Sequence, residues 1–145
     1  MNKEKRLFWS IGILQGSVGV GAVLAGIGFI MEPDGSNLLM TTDILEDSPF
    51  ESFLIPGIVL LAVNGLGSLA GAVLSFIQSK AAGEAAIILG TLLMGWIAAQ
   101  IFWIGYVSFL QPVFFGVGAV EAAVGYFMMR MVRKGSAHAS FTHSA

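Results

Sequence analysis

The feature that most constrains this chain is the stretch from Ser108 to Arg130, SFLQPVFFGVGAVEAAVGYFMMR, an apolar segment of membrane-spanning length with a single carboxylate, Glu121, near its middle. At 1.5 Å per residue, Glu121 stands about 13 Å from both Pro112 and Arg130, at the centre of a hydrocarbon layer ~30 Å thick. An acid at that depth costs about 2.5–3.5 kcal/mol to insert even on lenient scales, so it must face protein or a water-filled cavity. Glu121 is therefore the first candidate for function.

The remainder of the chain reads as its host. Of 145 residues, 56% are hydrophobic and 11% charged, and the mean hydropathy is +0.84, a balance that a water-soluble domain of this size could not keep off its surface. The length suits four spans with short connections. With no cysteine, disulfide, iron–sulfur and thiol chemistry are excluded. The expected fold is an all-α transmembrane four-helix bundle in which residues 1–134 form the membrane domain. The spans fall at about 7–31, 53–77, 85–106 and 112–131, with an outer loop at 32–52 and a disordered cytoplasmic tail at 135–145.

Each span carries a pattern. In the first, Gly12, Gln15, Gly19, Ala22 and Gly26 share one stripe, while Ile13, Val20, Leu24 and Ile27 lie opposite, so the small stripe is expected to face other helices. The second is expected to start at Ser48-Pro49-Phe50-Glu51, a capping box with proline at the first helical position, and to kink at Pro56. Its interior stripe is Asn64, Gly67, Ser68, Gly71 and Ser75. The third is ambiguous: Gln100 shares a face with Leu93, Trp96 and Trp103, and Thr91, Gly95, Ala98 and Gly105 lie opposite. In the fourth, Phe114, Gly118, Glu121, Ala122, Gly125 and Met129 align.

All seven Lys and Arg (Lys3, Lys5, Arg6, Lys80, Arg130, Arg133 and Lys134) fall on the side of the termini if there are four spans, which makes both termini cytoplasmic. The acids Glu32, Asp34, Asp43, Glu46, Asp47 and Glu51 then fall in the outward loop, without the alternating spacing of a calcium loop. His138 and His143 lie in the tail and none lies in a span, which argues against a haem-binding bundle.

Ser52-Phe53-Leu54-Ile55-Pro56 recurs as Ser108-Phe109-Leu110-Gln111-Pro112, and a polar residue, Asn64 or Glu121, follows each proline by eight or nine positions. Reckoned from the prolines, the two sit at nearly equal depth, so Asn64 is the expected partner of Glu121, with Gln15 and Gln100 as alternatives. At the loop, PDGS (Pro33 to Ser36) and SPFESFLIPG (Ser48 to Gly57), with FLQP before the last span, resemble small uncharacterised four-span membrane proteins of bacteria. That resemblance implies a multi-pass protein of the bacterial cytoplasmic membrane and carries no activity with it. Small multidrug transporters are similar in size and in using one membrane glutamate, but the first span here holds Gln15 and no acid.

Two readings of function follow. One is a non-enzymatic assembly or accessory module in which Glu121 hydrogen-bonds to Asn64, Gln15 or Gln100. The other is a proton-coupled transporter of a small solute, with Glu121 in a cavity shared with Asn64, Trp96 and Trp103. An enzyme is not expected, because the spans hold no nucleophile with a base and no metal set. The expected partners are the lipid bilayer and either a second copy or another membrane protein, with no nucleic acid, cofactor or metal.

Overall fold

The computed structural model describes residues 1–142, and the side chains of residues 1–139. Its long helices are Lys3–Met31, Leu54–Phe76, Ala82–Ile104 and a fourth that starts at Leu110. All four are long and apolar enough to cross a membrane, and they form the expected four-helix bundle. Consecutive helices run antiparallel and pack as neighbours, so that the second and fourth stand diagonally across the bundle. Phe8, Ile11, Ala82, Ala86 and Met128 cluster at the end that holds the termini. Every Lys and Arg lies toward that end, where an exposed Arg133–Glu84 pair spans 3.9 Å.

Local chemistry sets the helix ends. Asn2 caps the first helix, its side-chain oxygen accepting the Lys5 backbone N–H at 2.9 Å, and Pro33 lies just past the last turn, where a helix cannot continue. Gly105, at φ 71° and ψ −168°, breaks the third helix in a conformation that suits glycine. Gln111 then closes the turn: its Oε1 accepts from Val107 N–H at 2.9 Å and Ser108 N–H at 3.3 Å, and its Nε2 donates to the Gly105 carbonyl at 3.2 Å.

The second helix departs from expectation. It starts at Leu54 rather than Ser48, because the Ser48 hydroxyl is spent on a turn, donating to the Leu45 carbonyl at 2.8 Å and accepting Phe50 N–H at 3.2 Å. Phe53 is pinned beside the helix start by its N–H to the Pro33 carbonyl at 2.8 Å and by its ring stacked on Phe29, 4.7 Å between centroids. Pro56 therefore falls in the first turn, where its missing N–H removes no bond, and the expected kink has no cause. Irregularity comes further on, in a π-helical stretch at Leu60–Gly67. A regular helix of 3.6 residues per turn would set Gly65 about 80° away from Gly57. The wider i→i+5 turns take up that angle, so both glycines meet the first helix.

Glycines hold the first helix against the second and the third against the fourth. A Cβ on Gly26 would fall 2.9 Å from the Gly57 carbonyl, and one on Gly19 would fall 3.0 Å from that of Gly65. Gly83 and Gly125 face each other in the same way, as do Gly90 and Gly118. The spacing is seven residues on the first, third and fourth helices, the repeat of an antiparallel packing with backbones in near contact, and eight from Gly57 to Gly65, where the π-helical turns absorb the extra residue.

Packing also decides the third span's interior face. Ala86, Gly90, Leu93 and Ile97 are buried, and Thr91, Gly95 and Ala98 are exposed. The fourth helix runs on through Thr142, so residues 135–142 are helical rather than the expected disordered tail. Extending an existing helix avoids the nucleation penalty that a free segment would meet. His143 lies outside the described residues.

Candidate functional site

Glu121 is 1% exposed, and Gln15 and Ser75 are fully buried. Gln15 Nε2 donates to Glu121 Oε1 at 2.9 Å, and the Ser75 hydroxyl donates to Gln15 Oε1 at 3.0 Å. One carboxamide thus joins three helices, its two ends fixed by a hydroxyl on the second and a carboxyl on the fourth. Glu121 Oε1 can accept this bond whether the carboxyl is charged or neutral. Gly71 makes the room: a Cβ there would stand 3.1 Å from Gln15 Nε2.

The partner of Glu121 is therefore Gln15, not Asn64. Depth alone put Asn64 beside Glu121, but their helices are diagonal, and it is the first helix, a neighbour of the fourth, that brings Gln15 to the carboxyl. Gln15 was an expected alternative, whereas Ser75 was recognised only as a member of the second span's polar stripe. Its place four residues beyond Gly71 on the face toward Gln15 was the available signal.

Asn64, Gln100, Trp96 and Trp103 assemble elsewhere. They line a cavity of about 400 Å³ at the loop end, between the two helix pairs, whose wall includes neither Glu121 nor Gln15. Val18, Leu93 and Ile97 form a buried cluster with Val117 packed against it. The three buried residues of that cluster also line the cavity. Leu45 and Phe50 of the loop complete the wall, and Phe50 meets Trp103 edge-on at 5.5 Å. Asn64 lies within the π-helical stretch, and its Nδ2 is buried without a hydrogen-bond partner.

The six residues singled out in the sequence thus divide into two places. Glu121 and Gln15 form a hydrogen-bonded polar lock with Ser75. The other four line an apolar chamber in which, among the described residues, Asn64 Nδ2 is the buried side-chain donor without a partner. Compared with known proteins, the chain matches no family model, and no curated protein or solved structure matches it.

Proposed function

We propose that the chain is a non-enzymatic assembly or accessory module of the bacterial cytoplasmic membrane, with both termini in the cytoplasm. The gathering of all seven bases at one end supports that orientation. The observation that carries the module reading is the 2.9 Å bond between Gln15 and Glu121. A proton-coupled carrier needs its carboxyl to meet proton and substrate by turns. Glu121 instead is enclosed with Gln15 and Ser75, apart from the chamber that could admit a solute. Its work in this reading is to tie the first, second and fourth helices together, an interhelical bond being worth about 0.6 kcal/mol on average and up to ~1.7. Among the described residues no nucleophile is hydrogen-bonded to a base within the spans, which supports a reading without catalysis.

The test is thermal stability across pH in nanodiscs for wild type and Glu121→Gln, together with proton flux in liposomes. The amide keeps an acceptor for Gln15, so the two proteins should melt alike, and neither should leak protons faster than empty liposomes. A variant that is more stable at neutral pH with a flattened pH profile, alongside proton flux in the wild type that the substitution abolishes, would overturn the module in favour of transport.

A further inference from the structure

The chamber at the loop end is independent of Glu121 and has chemistry of its own. Its volume, about 400 Å³, falls within the range of small-molecule sites. The wall contains no Lys, Arg, His, Asp or Glu, so a charged group entering it would lose hydration without gaining a counter-charge. The same objection does not apply to a neutral molecule.

Asn64 sets the polarity of the ligand. The residue is 3% exposed, faces the chamber, and leaves Nδ2 without a partner. A buried donor left unmade is destabilising, and an apolar side chain of similar size would remove the penalty. The segment around it is also the π-helical part of the fold, a distortion frequent at functional sites. On the third helix, Trp96 and Trp103 supply flat apolar surface to the same space, and indole faces hold planar or branched apolar groups well.

We propose that this chamber binds a neutral lipophile bearing a carbonyl oxygen, which accepts a hydrogen bond from Asn64 Nδ2 while the apolar body rests against Trp96 and Trp103. Membranes offer that chemistry in two forms, the ring of an isoprenoid quinone and the ester of a neutral glyceride. The acceptor is the shared requirement.

The experiment uses the full chain in nanodiscs of a dialkyl ether phosphatidylcholine, whose tails carry no ester carbonyl. Decylubiquinone, 1,2-dioctanoylglycerol and dodecane are titrated separately, with the rise in melting temperature as readout. At least one carbonyl probe should stabilise the wild type saturably and beyond dodecane, and which one does so identifies the source. Asn64→Leu should fold, melt no lower than wild type without probe, and need about tenfold more of the same probe. A second variant, Ala25→Phe, places a ring in the chamber from the first helix and should abolish the response. The proposal is overturned if neither carbonyl probe outperforms dodecane, if Asn64→Leu loses less than about threefold, or if Ala25→Phe responds as wild type does. None of these outcomes bears on the Glu121 test, so the two readings fail separately.

Discussion

Replacing Gly125 by alanine tests the packing on which the bundle depends. An alanine Cβ there would lie 2.7 Å from the Gly83 carbonyl oxygen, 2.8 Å from Ala86 Cβ and 2.9 Å from Ile87 N. Two of these neighbours are backbone, which cannot rotate aside. Ordinary contact begins at 3.4 Å, so the shortest separation must open by about 0.7 Å (3.4 less 2.7) along a helix pair that touches again one heptad away at Gly118. Overpacking of this kind costs about 1–3 kcal/mol, against a gain of up to ~1 kcal/mol because alanine favours helix over glycine. Gly116, on the same helix, has no neighbour within 4 Å of its would-be Cβ, so Gly116→Ala isolates the propensity gain. The two variants should therefore differ by about 1–3 kcal/mol, with Gly125→Ala the less stable. Unfolding of both in mixed micelles of increasing SDS fraction, followed by far-UV circular dichroism, measures that difference. A gap below ~0.5 kcal/mol would refute the close approach, since a side chain's rearrangement could then absorb the methyl group.

Three further outcomes are expected. A double-mutant cycle with Gln15→Leu and Glu121→Leu should return a coupling of about 0.6 kcal/mol, with a ceiling near 1.7, and no coupling in the same SDS titration would remove the lock from the module reading. Gly105→Ala, forced into φ 71° and ψ −168°, should lose about 1–3 kcal/mol despite open space around the new methyl, because the strain lies in the backbone; a neutral result would show that the turn between the third and fourth helices can relax. In the loop, the Ser36 N–H at 3.0 Å, followed by the Ser36 hydroxyl at 2.7 Å, holds the Asp34 carboxyl below its ordinary value. A depressed folded value means that the turn's support is complete above the unfolded value, about 3.9, and is lost as pH falls through the folded one. Amide-exchange protection at Ser36, taken relative to the unstructured rate at each pH, should fall in that acid window for the wild type, while Asp34→Asn should show no such step.

The architecture was legible in the sequence because the membrane leaves few alternatives. Four apolar runs must become helices, since no water is present to satisfy their backbone groups, and the Gly12–Gly19–Gly26 stripe announced which face meets another helix. Exchange between neighbours was harder to see. Asn64 and Glu121 share a depth, yet an up-down-up-down bundle makes parallel helices diagonal, so the polar group that meets Glu121 had to come from an antiparallel neighbour. Gln15 satisfies that rule and Asn64 does not; topology should have outranked depth. The third helix was ambiguous for a related reason, since glycine and alanine serve both a buried backbone contact and an exposed face. Only the positions of Gly118 and Gly125 opposite Gly90 and Gly83 decide it. The π-helical stretch had no sequence signal of this kind, because it arises from a demand across the interface, that Gly57 and Gly65 both meet the first helix. Asn64 stands one residue from Gly65, so the turn that serves this contact also carries its amide to the chamber. Packing of the backbone and placement of the unpartnered donor are thus one structural event. A substitution that restored a regular helix there would disturb both together, whereas Asn64→Leu removes the donor and leaves the glycine contact in place.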